Sequence, residues 1–414
     1  MKQPTIPPIF ILLLWILFFS ASPVDGIDID FGGSLENDTV LSWIPAFEAF
    51  QKDRLSAWFS ADFNERLSVE VQAYYTYTTP IPVIVDLDYL ELRGTFPYVV
   101  GDGSLLNFIA GRFFYSDFSG AIFAHNLDGI YLEVEWPIAS ASTAVGFTGL
   151  LLKPTAGIVL SKVDAIERAD ESVYLAPPRL IESVEVVLPE IALRQTLTVA
   201  ALFQQELRSA DRLAQEGGID ELPDSGGPVH TQYFGLGVSG PLIQYLYYDA
   251  AFYLETGSTL IYADDVFSST GFSYQKSSIL AFFGELRFQA FLDRLLSSRI
   301  EALFRVGSGD EDFSTFLDGN TEGTAGVFTP VTNPGAVYVF SPQSGNLIRF
   351  QVYYSLKPLE WIQSTATENF QSALKAALFF RTVAGPISVT GVNPDTDAHY
   401  LGTEIDLTLN YRPF

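Results

Sequence analysis

The chain has 414 residues, of which 48% are hydrophobic, 14% aromatic and 17% charged, whereas soluble globular domains carry roughly 25% charged residues. Its 49 acidic and 23 basic residues give a formal charge of −26, which repels phosphate backbones and excludes nucleic acid as a partner. The absence of cysteine excludes disulfides, thiolate metal sites, cysteine catalysis and a lipid-modified cysteine anchor. After residue 26 no apolar run approaches the ~18 residues that a membrane-spanning helix requires.

The first 26 residues have the composition of an export signal. Lys2 precedes an apolar run from Ile9 to Phe19, and small residues follow as far as Gly26. A charged region, an apolar region and a cleavage region in this order are typical of a secretory signal peptide, and the apolar run is too short for a permanent anchor helix. We expect residues 1–26 to be cleaved and the chain to be exported through the general secretory route.

The rest of the chain alternates apolar and polar residues with a period of two. From Leu67 to Tyr77 the odd positions are apolar or aromatic and the even positions are mainly polar, as in a strand with one apolar face. The same pattern recurs along the chain. It predicts sixteen strands near 27–35, 54–62, 67–78, 83–95, 104–115, 127–136, 143–153, 181–189, 191–206, 230–239, 243–256, 277–290, 297–307, 346–357, 371–382 and 399–412.

The contents of the two faces decide between a soluble and a membrane β protein. The polar face carries charges, as at Glu285 and Arg287, whereas the other face is rich in Phe, Tyr and Leu. This pattern is typical of strands between lipid and water, whereas a soluble sandwich would pair its aromatic faces. We therefore predict an all-β fold, a transmembrane antiparallel up-and-down β-barrel of about 16 strands, with 14 to 18 left open, formed by residues 27–414 as a single outer-membrane domain.

Connection lengths give an independent indication of the same fold. The links after even-numbered strands are mostly short, whereas those after odd-numbered strands include 154–180, 207–229, 257–276 and 308–345. Outer-membrane barrels have short periplasmic turns and long external loops. The links at 79–82 and 358–370 depart from this alternation. A change of phase between Tyr89 and Leu90 predicts a β-bulge in the fourth strand.

The last strand resembles the targeting strand that the barrel-assembly machinery of diderm bacteria recognises. Its apolar positions alternate with polar ones, and the chain ends on an aromatic residue that Pro413 shifts by one position. The predicted assembly signal consists of Ile405, Leu407, Leu409, Tyr411 and Phe414.

Sixteen strands enclose a water-filled channel, so the inward charges are expected to determine which solutes pass. Eight of the 23 basic residues fall on the predicted inward face of strands twelve to sixteen. They are Arg287, Arg299, Arg305, Arg349, Lys357, Lys375, Arg381 and Arg412. The early strands place acidic residues inward, namely Glu70, Asp86, Asp88, Glu133 and Glu135. Two interpretations stay open: the charges select an anionic solute, or they pair with one another and only stiffen the wall.

Several short motifs carry a family resemblance. Ala110-Gly111-Arg112 with Asp128-Gly129-Ile130-Tyr-Leu, the stretch from Val306 to Asp312 with Phe328-Thr-Pro330, and the ending that begins at Tyr400-Leu-Gly-Thr resemble the alginate-export family of outer-membrane barrels. The motifs cover about a quarter of the chain. The resemblance implies a barrel of eighteen strands whose arginine-rich lumen passes an anionic polysaccharide.

The predicted function is a porin-like channel for passive passage of small polar or anionic solutes, including oligo- or polysaccharide. The alternative is a surface barrel whose long loops act in adhesion or partner binding without an open channel. We predict no enzymatic activity, no cofactor and no metal site, because His125, His230 and His399 lie near strand ends without a catalytic spacing and Gly309-Asp-Glu-Asp312 lacks the calcium-loop pattern. The expected partners are outer-membrane lipid, the assembly machinery and the solute; a homotrimer is left open.

Overall fold

The computed structural model describes residues 27–42, 48–79, 83–209, 228–264, 266, 272–292, 295–311, 323–333, 340–362, 369–389, 392–393, 396 and 398–411. The predicted signal peptide, Arg412 and Phe414 lie outside these residues. The chain divides into two compact units. The first contains residues 1–96 and 107–111, and the second contains residues 97–106 and 112–414.

Sixteen strands form one sheet in sequence order, with antiparallel pairing between neighbours such as β1 and β2, β10 and β11, and β15 and β16. The strands are β1 (Asp28–Ser42), β2 (Glu48–Asn64), β3 (Leu67–Thr78), β4 (Ile84–Pro97), β5 (Leu105–Ser116), β6 (Ala124–Trp136), β7 (Ala139–Phe147), β8 (Arg179–Ala192), β9 (Gln195–Glu206), β10 (His230–Ile243), β11 (Leu246–Asp264), β12 (Phe272–Leu292), β13 (Ser298–Gly307), β14 (Leu347–Leu356), β15 (Phe370–Phe380) and β16 (Tyr400–Tyr411). Two short α-helices, α1 (Lys153–Ala156) and α2 (Lys162–Ala169), lie between β7 and β8, and a 3-10 turn covers Glu360–Ile362. Within the described residues, no helix has the length and apolar character needed to cross a membrane.

The predicted number and order of strands are confirmed, and the differences concern strand ends. The hairpin of β1 and β2 pairs from Asp28 with Asp62 to Ser42 with Glu48, so it extends well into the predicted first loop. The hairpin of β11 and β12 likewise continues to the pair Asp264 and Phe272, inside the predicted loop 257–276. Strand β7, in contrast, ends at Phe147 rather than near residue 153.

Connections after even-numbered strands are mostly tight. Two residues join β8 to β9, and both of them, Leu193 and Arg194, have positive φ angles of 51° and 64°. Positive φ at both central positions is the geometry of a type I′ turn, whose twist matches that of antiparallel strands. The turn forms although neither residue is a glycine.

The predicted bulge in β4 is present, one position earlier than the sequence pattern indicated. Gln72 of β3 pairs with Tyr89 while Ala73 pairs with Leu87, so Asp88 is the extra residue. The shift turns Tyr89 away from the apolar side, and its hydroxyl lies 3.0 Å from Oε1 of Glu70. The bulge thus keeps Leu87 and Leu90 on one face of the strand.

The two faces of the sheet differ in chemistry throughout the second unit. One register row joins Glu285 of β12, Arg305 of β13 and Arg349 of β14, and the row one residue further along joins Gly284, Val306 and Ile348 on the opposite face. Large apolar side chains on that opposite face are exposed, with Leu407 at 67%. We call the face with Glu285, Arg305 and Arg349 the polar face and the other the apolar face.

The substitution Leu132→Lys tests which solvent the apolar face meets. Leu132 is an exposed apolar-face residue of β6, and a lysine on a lipid-contacting face costs about 2–4 kcal/mol near the bilayer midplane. We expect this variant to lose that much folding free energy in lipid vesicles, measured by urea titration.

Ser142→Lys is the matched control on the polar face of the neighbouring strand. Ser142 pairs with Glu133 on one side and with Glu185 on the other, so an added ammonium group meets two carboxylates. We expect little loss of stability. Equal destabilisation of the two variants would contradict the assignment of the faces.

Candidate functional site

The polar face of β12 and β13 carries a ladder of alternating charges. Glu285 accepts from Nη2 of Arg287 at 2.9 Å and also pairs with Arg305. Glu301 accepts from Nη2 of Arg299 at 2.7 Å and lies 4.0 Å from Nε of Arg287. These arginines were predicted to line a pore. The structure places them on one face and pairs each of them with a carboxylate.

Arg349 differs from the other arginines of this face. It lies beside Arg305 in the sheet register, and only 4% of its surface is exposed. Its Nε has no hydrogen-bond partner, and no ion pair joins it to another residue of the described part of the chain. A guanidinium group that is desolvated without a carboxylate partner is an attractive site for an anion.

The remaining predicted basic residues have other surroundings. Lys375 lies on the polar face with Nζ 3.9 Å from Oδ2 of Asp406, and Lys357 lies just after β14 in the turn to β15. Arg381 is buried, and its guanidinium donates to the backbone carbonyls of Gly385, at 2.8 Å, and Ala398, at 2.7 Å. Its side chain therefore organises the connection between β15 and β16, a role that the sequence pattern did not indicate.

Acidic groups gather on the polar face of β6 to β8. Glu133 is half-buried, Glu135 is exposed, and Ser142 separates Glu133 from Glu185 in the register. Hydroxyl side chains fill the neighbouring polar-face positions. Within the second unit, the acidic and basic groups predicted for the lumen thus occupy different strands of one face.

In the first unit, the predicted acidic residues belong to a hydrogen-bonded network. Asp88 pairs with Arg54 and accepts from Nε2 of Gln72 at 2.6 Å. Glu70 lies 3.2 Å from Nη1 of Arg93 and accepts from the Tyr89 hydroxyl. Oδ1 of Asp86 accepts from the backbone N–H of Leu87 at 2.8 Å.

The connection between β5 and β6 folds over the polar face of β10 and β11. Asp117 accepts from the Tyr253 hydroxyl at 2.8 Å, although β6 and β11 are five places apart in the sheet order, which is about 24 Å along a sheet. The ring of Phe118 stacks on Tyr253 at 5.0 Å. A Cβ on Gly237 would lie 2.6 Å from that ring, so the glycine provides the space that Phe118 occupies.

A second segment, residues 323–333, crosses the same face. Ala325 hydrogen bonds with Ser278 and Leu280 of β12 at 2.9 and 3.0 Å. The far end of the segment reaches the β5–β6 connection, where Thr332 N–H donates to the Ile122 carbonyl at 3.0 Å. We call residues 323–333 the strap. Sequence reasoning missed both in-folded segments, because period-two patterns describe strands and not the path of the links between them.

A buried cluster of charges holds α2 on the ends of β8 and β9. Arg179 lies 2.8 Å from both Asp164 and Glu206, and Arg208 pairs with Asp164, Glu206 and Glu167. Burial alone would raise the pKa of Asp164, but Arg179, Arg208 and the backbone N–H of Leu160 together hold it below its ordinary value. The connection from β7 to β8 is thereby fixed by charge.

The described part of the predicted assembly signal lies on one face of β16. Ile405, Leu407, Leu409 and Tyr411 alternate along the strand and are all exposed on the apolar face. The register continues as far as the pair Tyr411 and Phe370.

Among the described residues, no group of three or more His, Asp or Glu side chains is arranged to hold a metal ion.

Comparison with known proteins gives structural neighbours only. No protein-family model matches the chain, and no curated protein matches it. The solved structure of the outer membrane protein opdK from Pseudomonas aeruginosa has a TM-score of 0.51 at 9% identity, covering 93% of this chain and 88% of opdK. The chain has the fold of an outer-membrane β-barrel.

Two further structures lie at lower similarity. The anion-selective porin from Comamonas acidovorans has a TM-score of 0.46 at 8% identity and covers 93% of this chain and 99% of its own. The Pseudomonas aeruginosa protein OccK2 (OpdF), solved in complex with glucuronate, has a TM-score of 0.47 at 9% identity and covers 89% and 83%. The predicted resemblance to the alginate-export family is not confirmed by these comparisons.

The charge cluster around Asp164 predicts a dependence of the β7–β8 connection on pH. Because its pKa is lowered on folding, Asp164 stabilises the docked helix above its ordinary pKa of 3.8, and this contribution is lost as the pH falls through the lower folded value. We expect the connection to resist protease from pH 7 to about pH 4 and to become sensitive to pepsin at lower pH.

Asp164→Asn removes one partner from a buried ion network, which costs about 3–5 kcal/mol. We expect the connection of this variant to be cut already at pH 7, with cleavage sites located by mass spectrometry. Asp170→Asn, at an exposed carboxylate of the same connection, is the control and should resist cleavage like the unmodified protein. Resistance of both variants at pH 7 would refute the role of the cluster.

Proposed function

We propose that the chain is a porin-like channel in the outer membrane of a diderm bacterium, through which small polar solutes pass passively. The observation that carries this proposal is the contrast between the two faces of the sheet. Exposed Leu, Phe, Ile and Val side chains cover one face, while paired charges and hydroxyls cover the other. Such a sheet is stable when oil meets the first face and water the second.

The chemistry of the polar face favours solutes that form hydrogen bonds. Arg287 of β12 and Arg299 and Glu301 of β13 are partly exposed as well as paired, so their outer hydrogen-bonding positions remain accessible to water or to a solute. The in-folded segments narrow the space in front of this face. An apolar solute would displace water from these positions without replacing its hydrogen bonds.

Arg349 supports an anionic group on the solute. Its charge has no carboxylate partner among the described residues, whereas Arg287, Arg299 and Arg305 are each paired. At an effective dielectric constant of about 20, a unit charge about 8 Å from a passing ion contributes about 2 kcal/mol before salt screening. The pairing of the other arginines supports the alternative in which they mainly stiffen the wall.

The same proposal covers location and assembly. We infer that residues 1–26 direct secretion, that residues 27–414 form one barrel, and that the assembly machinery recognises β16 through its exposed apolar residues. The likeness to the outer membrane protein opdK supports this location. A polysaccharide cargo and a homotrimer remain hypotheses that come from the sequence alone.

Planar-bilayer recording of the purified protein tests the channel and its selectivity separately. We expect discrete conductance steps in potassium chloride, and a reversal potential in a salt gradient that shifts toward the cation side when Arg349 is replaced by Gln. The shift should correspond to a several-fold fall in relative chloride permeability, because one unpaired positive charge is removed from the path.

Arg168→Gln is the matched control, because Arg168 is an exposed residue of α2 and lies outside the charge ladder. If the channel prefers cations and its selectivity does not change in Arg349→Gln, the proposed anion-binding site at Arg349 is refuted but the proposed pore is not. Absence of conductance, together with binding of an outside partner by the long loops, would favour the adhesion alternative.

A further inference from the structure

One residue of the strap, Thr329, is bound by two side chains from neighbouring strands. Oε2 of Glu255 in β11 accepts from the backbone N–H of Thr329 at 2.8 Å. The hydroxyl of Tyr233 in β10 donates to the backbone carbonyl of the same Thr329. Glu255 and Tyr233 lie opposite each other in the register. Side chains of the sheet therefore bind both the backbone N–H and the backbone C=O of Thr329.

Glu255 is an unusual residue at this place. It is fully buried, and its other carboxylate oxygen, Oε1, has no hydrogen-bond partner. No ion pair joins it to another described residue. Burying a carboxyl group without a charged partner is costly, and complete burial prevents Glu255 from contacting a passing solute. Its one described hydrogen bond is to the strap, which points to positioning as its role.

Aromatic packing adds a second, less directional contact. The ring of Phe328 stacks on Phe283 at 5.1 Å and meets Tyr233 edge to face at 6.2 Å. These contacts fill space, but they do not fix how far the backbone of the strap stands from the wall. The hydrogen bonds to Thr329 do so together with the one from the Phe328 N–H to the Ser308 carbonyl at 3.1 Å, because hydrogen bonds are directional.

We propose that Glu255 and Tyr233 are positioning residues that clamp the strap through Thr329 and thereby set the size limit of the channel. The proposal rests on the proposed channel function and extends it. Loss of the clamp frees Thr329, while the attachment of Ala325 to β12 and the hydrogen bond from the Phe328 N–H to the Ser308 carbonyl at 3.1 Å remain. Larger solutes can then displace the strap and pass.

Single-channel recording with polyethylene glycols of graded mass measures the size limit. We expect Glu255→Ala to raise the mean conductance, to increase open-channel noise and to admit larger polymers. Tyr233→Phe, which keeps the ring and its packing, should change these quantities in the same direction. Glu255→Gln retains a carbonyl acceptor and should restore values close to those of the unmodified protein.

Glu360→Ala is the control, because it removes a carboxylate that accepts from Ser297 at 2.7 Å in the turn region between β14 and β15. It should leave conductance and the size limit unchanged. If Glu255→Ala sieved polymers like the unmodified protein, or if Glu255→Gln behaved like Glu255→Ala, the clamp would be refuted.

Hydrogen exchange separates failure of the clamp from failure of the channel. Loss of one hydrogen bond should accelerate exchange of the Thr329 amide by about tenfold in Glu255→Ala, whether or not the protein conducts. An unmodified protein that does not conduct would refute the proposed function. An unchanged exchange rate in Glu255→Ala would refute the clamp.

Discussion

The need to pair every backbone polar group inside the sheet is the constraint on which this structure depends. In hydrocarbon an unpaired N–H or C=O costs several kcal/mol, so each strand must find a partner along its whole length. Between neighbours the chain meets this requirement by pairing each strand with the next one in sequence. Antiparallel neighbours of this kind need only short turns, and the two-residue link at Leu193 and Arg194 is an example.

Pairing of the backbone leaves the side chains free to distinguish two environments. Because successive residues point to opposite faces, a charge can stand next to a residue of the apolar face without disturbing the hydrogen bonds between the strands. Arg349 and Phe350 are such neighbours: one is buried on the polar face and the other is exposed on the apolar face. The bulge at Asp88 preserves this separation in β4 where simple alternation would have broken it.

Small residues on the polar face make room for an in-folded connection. Gly237 and Ala251 lie opposite each other in β10 and β11, between the acidic groups of β6 to β8 and the charge ladder of β12 and β13. A surface without bulky side chains can accept another segment of chain, and Phe118 packs there. The in-folded connection therefore covers a part of the face where Gly237 leaves room for it.

The sequence was sufficient for strand number, strand order and the two faces, because these depend on local alternation that is repeated sixteen times. The alternation pattern mispredicted strand ends where both faces of a strand are polar. Asn37 and Asp53, for example, pair beyond the predicted end of the first hairpin. It also failed where one side chain meets distant backbone. The alternation of polar and apolar residues predicted that Arg381 faces the lumen, yet its guanidinium donates to the backbone carbonyls of Gly385 and Ala398.

Thr329 and the cluster around Asp164 illustrate two ways of holding a connection against a barrel wall. The cluster uses paired charges and full burial, so removing Asp164 breaks two buried ion pairs at once and releases the helix. The clamp on Thr329 uses two hydrogen bonds to the backbone of one residue, each worth about 1 kcal/mol. A strong attachment suits a connection that keeps its place, whereas a weak one suits a segment that crosses the proposed channel, because thermal motion can displace it without unfolding the strands that hold it.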